Sequence, residues 1–533
     1  MFAAKNELFT RPSGGFFIPR SLRFRASASA YLNRTFASNG NRKTFTWSSW
    51  IKIGQFSTNP YILSSGGAST PEFICSFSSG NALNIGYYNG ASYTYRLTTT
   101  QVFRDPSAWY HIVVAWDTTQ ATASNRIKVY VNGVQVTAFD TASYPSLNYD
   151  SAFINTTSAQ YISSSGSGEY FDGYLAEVNF IDGQALSPTS FGATNTITGV
   201  WSPINYGGTY GTNGYHLTFN SYATQAALGT DTSGNSNTWT VNNCSVTAGV
   251  TYDSMIDVPT VTDTGSNYAV LNPLSISSST TITQGNLQGA VSTYNNLLSA
   301  TIGVSSKKWY WEFTFSSGSS MIGIAPTSSP PTIDLGYTAT SYGYRSSNGT
   351  IYNNSAATAY GNSYTTNDVI GVALDLDNGK LFFSKNGTFQ NSGDPVAGTN
   401  AAFTGLSGSF VAAASTPDTS TTLVFNAGQR PFSYTPPTGF NSLNTYNLAA
   451  PSILKGNLYM DATTYTGTGA SLGVTNAGGF QPDLVWMKSR SNAYSNILSN
   501  SVSGAQKYLI SNNTSVEATD AQSLTAFNSN GFS

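Results

Sequence analysis

The segment GVALDLDNGKLFFSKNG, Gly371–Gly387, places two apolar runs on either side of a polar turn, Asp375–Gly379, and closes its far run with Asn386–Gly387. Both turns carry Asn-Gly, the pair that best tolerates the positive φ angles of a tight hairpin. The segment therefore reads as a β-hairpin followed by a second tight turn. Ile112–Val136, IVVAWDTTQATASNRIKVYVNGVQV, repeats the succession: an apolar strand, a polar turn opened by Asp117, a strand led by lysine, and Asn132–Gly133. A chain that makes this unit twice is expected to repeat one antiparallel architecture.

Composition narrows the uses of such a chain. Its 533 residues allow three or four domains at roughly 150 residues each. Only 9% of the residues are Asp, Glu, Lys or Arg, against about 25% in ordinary soluble proteins, so hydroxyls and amides must hydrate the surface. Phosphate neutralisation needs clustered cations, which excludes nucleic acid as an expected partner. Basic residues are enriched only in residues 1–43, and SLRFRA, Ser21–Ala26, alternates there. The alternation turns Leu22, Phe24 and Ala26 inward and Arg23 and Arg25 to water; a docking surface is the other reading of these charges. No run approaches the roughly 20 apolar residues of a membrane span, and the start lacks a signal-peptide core. Synthesis in the cytoplasm without membrane insertion is expected. Cys75 and Cys244 form no metal or redox motif and read as buried free thiols.

Short alternating or aromatic runs separated by Gly, Ser, Asn and Pro continue along the chain, while helical periodicity is scarce. The expected fold is all-β: tandem antiparallel β-sandwich (jelly-roll) domains joined by a Gly/Ser/Thr/Asn-rich connector. The boundaries read as an N-terminal arm at 1–20, a first sandwich at 21–192, a connector at 193–266, a second sandwich at 267–436, a linker at 437–451 and a partial module at 452–533. That last module shows strands in GGFQPDLVWMKSRS and KYLISNN, then stops in LTAFNSNGFS where another strand is due. Either it completes itself on a neighbouring chain or the sequence belongs to a longer protein.

TFTWSSWIK, WYHIVVAWD, IKVYVNGVQV and FDGYLAEVNFIDGQALSP occur in the order found in laminin-G-like (concanavalin A-like) jelly rolls, which the first unit resembles. KWYWEFTF, MIGIA, GYRSSNGTIYNN, DVIGVALDLDNGKLFFSKNG and FNAGQRPF make the second unit similar to a SPRY domain. GFQPDLVWMKSR and NILSNSVSGAQKYLISNN resemble an uncharacterised module of tailed-bacteriophage structural proteins, as do the opening MFAAKNELFTRP and SLRFRASASAYLNRTF. This order of modules implies a virion protein, a tail fibre or similar host-facing appendage. It implies other virion proteins as partners through the N-terminal arm, a host surface glycan as receptor, and a homo-oligomer whose copy number is not readable from the sequence, trimers being common among phage fibres.

The usual catalytic constellations are missing. There is no GxSxG, HExxH, P-loop or Rossmann pattern. His111 lies on the same side of its strand as Trp109 and Val113 and reads as a core residue, and His216 has no Ser or Cys motif around it. Glu169, Asp172 and Glu177 are the carboxylates placed where a glycosidase of this fold would need them. Separations of three and five put neighbours on opposite faces of a regular strand, so no catalytic residue is assigned. Asp117, Asp140, Asp150 and Asp172 are rim oxygens of the kind calcium uses, but each fits turn formation as well; no metal or cofactor is expected. The candidate contact residues are Tyr342, Tyr344, Tyr352, Tyr360 and Tyr364, set among Ser, Asn, Gly and Thr in Ser341–Asp368 as in adaptable recognition loops. The same tyrosines fit alternate packing on a sandwich with hydroxyls reaching water. The expected function is glycan binding by a non-enzymatic virion appendage. A scaffold or decoration protein that binds other capsid or tail subunits is the second reading, and a polysaccharide-degrading enzyme the third.

Overall fold

A computed structural model describes residues 15–54, 59–67, 69–418 and 420–533. The strands are antiparallel apart from one short parallel contact, and among the described residues the helical pieces are 3₁₀ turns of three or four residues. Two compact units are present: one holds the chain through Ala193 and again from Ser202 to Ala449, the other Thr194–Trp201 and Ala450–Ser533.

Two sandwiches build the first unit. In the first, an eight-stranded sheet runs in the order Val134–Gln135, Ile127–Val131, Trp109–Asp117, Thr44–Ile53, Gly173–Asp182, Ser21–Phe24, Ser254–Met255, with Tyr215–Leu217 also paired to Gly173–Asp182. It faces another eight-stranded sheet across a core of Phe45, Trp47, Tyr95, Trp116 and Phe180. The second sandwich pairs a nine-stranded sheet, centred on Lys308–Gly318 and Val369–Asp375, with a six-stranded one. Trp309, Trp311, Phe313, Phe383 and Phe425 fill its core.

The two quoted hairpins share more than turn composition. Asn132–Gly133 and Asn386–Gly387 both form two-residue loops, with φ of 48° and 82° in the first and 48° and 81° in the second. Each Asn side chain accepts a backbone N–H from the strand that starts the hairpin, Asn132 from His111 and Asn386 from Val369, both at 2.8 Å. Each Asn N–H donates back to the carbonyl of that same residue at 2.8 Å. The Asn thus clamps the turn to the strand that pairs with its own, as well as serving through its backbone. A Cβ on Gly387 would lie 2.5 Å from the Tyr434 ring on a residue already at positive φ, so Gly387→Ala should cost about 1–3 kcal/mol, read as a lower urea midpoint at constant m.

Several boundaries move. From Ser202 on, the 193–266 segment is a structural part of the first sandwich: Tyr215–Leu217, Thr240–Asn242 and Ser254–Met255 extend its sheets. Tyr215, Leu217, Leu228, Trp239 and Cys244 enter its core. The three strands are runs of two or three residues, too short to mark strands before the partner strand is known. The 437–451 linker is likewise held down, because Asn441–Ser442 pairs with Lys308–Gly318 and Leu443 is buried in the second core. Residues 1–14 of the arm lie outside the described residues. Ile18 is already buried, and Arg20 donates to the Ser254 carbonyl and lies 3.8 Å over the Tyr222 ring.

Leu22 and Phe24 face inward as the alternation predicts, but Arg23 and Arg25 do not face water. Both are buried on Asp253, each with Nε 2.9 Å from Oδ1. The opposite face of this strand is covered by the segment that leads into the second sandwich. Arg23 also donates to the carbonyls of Val250, Tyr252 and Gln284. Beside it Lys52 is completely buried and donates to Asp257 at 2.7 Å, to Asn267 at 2.8 Å and to the Tyr268 carbonyl at 3.0 Å, while the Trp109 indole donates to Asp257. Tyr174 reaches the Gly285 carbonyl at 2.6 Å, and Arg430 of the second sandwich donates to Gly249. A buried polar network therefore joins the two sandwiches. Arg23, Arg25 and Lys52 are paired with Asp253 and Asp257 and hydrogen-bonded, the condition under which burial is tolerated, whereas Arg430 is held by the carbonyls of Gly249 and Phe425.

The C-terminal unit carries a four-stranded sheet, Leu484–Met487, Ile497–Asn500, Lys507–Ile510, Ala518–Thr519, and a three-stranded one, Val474–Thr475, Gly531–Phe532, Phe527–Asn528. The LTAFNSNGFS ending, expected to halt before a strand, forms a small hairpin of its own.

Candidate functional site

The tyrosine-rich segment Ser341–Asp368 divides between core and surface. In the strand Tyr342–Arg345, residues two apart share a face, and the face bearing Tyr342 and Tyr344 points into the second sandwich. Tyr344 is fully buried, stacks on Phe383 with centroids 5.3 Å apart, and gives its hydroxyl to the Asn362 carbonyl. Tyr364 is buried beside it and donates to the Tyr344 carbonyl at 2.9 Å. Burial pushes both hydroxyls well above their usual pKa. Tyr360 is packed edge-on against Tyr344 and Phe383, and burial raises its pKa to about 12. Tyr342 is half-buried against Phe403 and Phe410. Four of the five candidates thus pack on the core.

Tyr352 is the exception. It pairs with Gly343 across the sheet and rests on the outer face, against a small cluster of Leu297, Met321, Leu335 and Ala413. Tyr337, 45% exposed, lies parallel to it at 6.3 Å and 6°. Arg345 shares that face, donating to the Tyr352 hydroxyl at 3.1 Å and to Asp418 at 2.8 Å, and Ser319 donates to the other Asp418 oxygen. Burial alone would raise the Tyr352 hydroxyl, but its bonds to Arg345 and Thr350 outweigh it and hold the pKa below its usual value. The result is two stacked phenols edged by a guanidinium, a carboxylate and several Ser, Thr and Asn groups. Such a surface can lie against the apolar face of a sugar ring or a side chain while its polar edge exchanges hydrogen bonds. Of these residues the sequence reading had only Tyr352. The i, i+2 parity of YGYR was the available signal for Arg345, whereas Asp418 comes from a loop 73 positions further along the chain.

Two of the three carboxylates weighed for glycosidase chemistry, Glu177 and Asp172, are occupied elsewhere. The strand Gly173–Asp182 is not regular: it bulges between Ala176 and Asn179, with Glu177 at φ 51°. The bulge presents Glu177 to His216 at 2.6 Å, and the other imidazole nitrogen meets Thr232 at 3.1 Å. Both ring nitrogens are engaged, which fastens the 193–266 segment to the sheet. Asp172 accepts the N–H groups of Gln284 and Gly285; burial raises its pKa and these donors pull it back. Glu169 sits at φ 47° in the preceding loop, where its carbonyl accepts from Tyr61. Among the calcium candidates, Asp117 accepts from Thr119 and Gln120 in its own turn. Among the described residues no three His, Cys, Asp or Glu side chains converge on one point. Cys75 and Cys244 are buried free thiols.

His111 is in the first sandwich, as expected from its strand, 1% exposed, stacked on Trp50 at 4.9 Å and bonded to Ser48 at 2.9 Å. Desolvation lowers its pKa from 6.5 to about 3. Between those values the unfolded chain binds a proton that the folded chain refuses, so stability falls as pH falls through this window and is unaffected by the group above it. His111→Gln should reduce the slope of unfolding free energy against pH, between about pH 4 and 6, by up to about 1.4 kcal/mol per unit.

Residues 26–190 match the concanavalin A-like lectin/glucanases superfamily, residues 308–430 the SPRY domain and residues 455–533 a domain of unknown function, DUF7483. Similar solved structures include the SPRY domain of human HERC1, at 16% identity over 30% of this chain and 99% of that one with a TM-score of 0.25. The TRIM65 PSpry domain is similar at 15% identity over 30% and 91% of the two chains with a TM-score of 0.23. A heptameric SAP-like pentraxin from Limulus polyphemus is similar at 19% identity over 32% and 80% with a TM-score of 0.24. No curated protein matches the chain. The chain thus carries a concanavalin A-like sandwich, a SPRY sandwich and a third module of unknown function.

Proposed function

We propose that this protein is a non-enzymatic binding component of a tailed-phage virion, a tail fibre or similar host-facing appendage, whose lectin-like sandwiches contact glycans on the host surface. Concanavalin A-like and SPRY sandwiches are consistent with carbohydrate or protein binding. The observation that carries the reading is the outer face of the second sandwich, where Tyr337 and Tyr352 stack beside Arg345 and Asp418. Its lack of catalysis is supported by the engagement of Asp172 and Glu177 in structural bonds. The joined sandwiches act as a stiff spacer, the basic arm docks to other virion proteins, and several copies of a weak site supply avidity. The protein is made in the host cytoplasm and resides in the virion.

Labelled full-length protein should bind candidate host cells saturably, and periodate oxidation of surface sugars should abolish that binding. Tyr337→Ala with Tyr352→Ala should weaken it at least about tenfold, the loss expected of one hot spot, with the thermal midpoint within a few degrees. Saturable binding that survives periodate would move the receptor to a protein. Loss of residues 1–14 should prevent incorporation into particles and leave cell binding intact.

A further inference from the structure

Lys52 is the one buried lysine among the described residues. It lies in the strand Thr44–Ile53 between Trp109 and Tyr174, its pairing neighbours on the two flanking strands. Those rings wall it in: Nζ is 5.8 Å from the Tyr174 centroid, and the two rings are 6.3 Å apart. The amine meets two side chains of different chemistry, Asp257 Oδ2 at 2.7 Å and the amide oxygen of Asn267 at 2.8 Å. The Asn267 amide nitrogen donates to the Ser107 carbonyl at 2.7 Å, so this amide is fixed at both ends. A salt bridge needs only the carboxylate. An amine, a carboxyl group and a carboxamide held together out of water are also the two reactants and the acid–base group of an amide exchange.

The amide carbon is within reach of the amine. With a C=O bond of about 1.23 Å, a donor 2.8 Å from Oδ1 lies roughly 3–4 Å from Cγ at any hydrogen-bond angle. That range overlaps the roughly 3–3.5 Å of a near-attack arrangement. Burial opposes charge on both members of the ion pair, lowering the pKa of Lys52 and raising that of Asp257. Moving one proton along the 2.7 Å bond to Asp257 therefore yields a neutral amine beside the amide. Water, the competing nucleophile, is kept out, since Lys52 and Asp257 are both 0% exposed. Asn267 is half-buried and leaves a small product a way out.

We propose that Lys52 and Asn267 join through an intramolecular amide bond, with Asp257 as the proton carrier. Asp257 takes a proton from the Lys52 ammonium, and the freed Nζ lone pair bonds to Cγ of Asn267 while the carbonyl pair moves onto Oδ1. Asp257 then passes its proton to Nδ2 and receives the surplus proton of Nζ. The oxygen pair restores the carbonyl as the Cγ–Nδ2 bond breaks and ammonia leaves. One amine and one carboxamide become one secondary amide and one ammonia, with nothing oxidised or reduced. The ion pair described above is the state that precedes the bond. The bond closes a loop across 215 positions and ties the first sandwich covalently to the segment that enters the second, so a pull between the sandwiches passes through it. This goes beyond the binding function proposed above and does not depend on the receptor.

The test is the intact mass of the full-length protein, held folded for days and then unfolded, followed by digestion with trypsin and chymotrypsin. The wild-type chain should be lighter than its sequence by one ammonia and should yield a branched peptide joining Lys52 to Asn267, uncut by trypsin at Lys52. Asn267→Ala removes the carbonyl partner without unpairing a buried charge and should have the mass of its sequence, as should Lys52→Arg. Asp257→Asn should form the bond at least about a hundredfold more slowly, the low end of general acid–base catalysis. A wild-type chain of full mass with no branched peptide overturns the proposal. So does a lost ammonia that maps to a succinimide at an Asn-Gly turn. Undiminished bond formation in Asp257→Asn overturns the part given to that carboxyl group. Because the decisive reading is made on the wild-type chain, a variant that folds poorly does not obscure it. The same mass measurement separates linked from unlinked protein before any stability comparison at Lys52 and Asp257.

Discussion

Trp239→Ala should lower the unfolding free energy of the first unit by about 3–5 kcal/mol, the range for deleting a fully buried tryptophan. Trp239 is 1% exposed and completes a continuous aromatic series through the core: Trp116 stacks on Phe45 at 5.2 Å, Phe45 on Phe180 at 5.3 Å, Phe180 on Tyr215 at 5.5 Å, and Tyr215 meets Trp239 edge-on at 5.0 Å. Tyr215 and Trp239 both come from the 193–266 segment, which composition presents as a connector. If that segment were a tether, the substitution would be almost silent. The expected result is a urea midpoint displaced for the whole unit, because the network at Asp253 and Asp257 couples the segment to both sandwiches. A change below about 1 kcal/mol, the scale of an ordinary surface substitution, would mean that the segment packs on the sandwich without supporting it.

Lys52→Met and Asp257→Leu, made singly, should each cost about 3–5 kcal/mol, because each leaves its partner's charge buried and uncompensated. Made together they should cost much less than the sum. Burial lowers the pKa of Lys52 and raises that of Asp257, and in each the partner's charge opposes the shift. Pairing thus favours the ionised form of each against the burial that opposes it. Some loss should persist in the double variant, since Asp257 also accepts the Trp109 indole N–H and Lys52 also serves Asn267 and the Tyr268 carbonyl. A double-mutant cycle in urea separates these contributions. Additive losses would show that the two groups act independently and that the junction is held by packing.

The arrangement assigns different work to different regions. The sandwich interiors are aromatic, the junction is polar with Asp253 and Asp257 paired to cations, and the outer face at Tyr337, Tyr352 and Arg345 combines exposure with defined hydrogen bonding. That third combination makes the outer face the place to look for recognition. Tyr344 and Tyr364, equally prominent in the sequence, hold the hairpin that presents it.

Local pattern was sufficient for a good part of this. The two Asn-Gly turns, the inward Leu22 and Phe24, the buried thiols and the all-β architecture follow from backbone preference and from the twofold alternation of a strand, which act within a few residues. Tertiary structure decided what lay against each face. Arg23 and Arg25 obey the alternation and are still buried, because Asp253, more than 220 positions away, covers the side that was expected to meet water. Glu177 departs from the alternation because a bulge turns it toward His216. Tyr352 faces out and Tyr344 in because one pairs across the sheet with Gly343, the neighbour of the other. A strand's sequence specifies that it has two faces; only the assembled sheets specify which of them is covered, since the covering residues are drawn from anywhere in the chain.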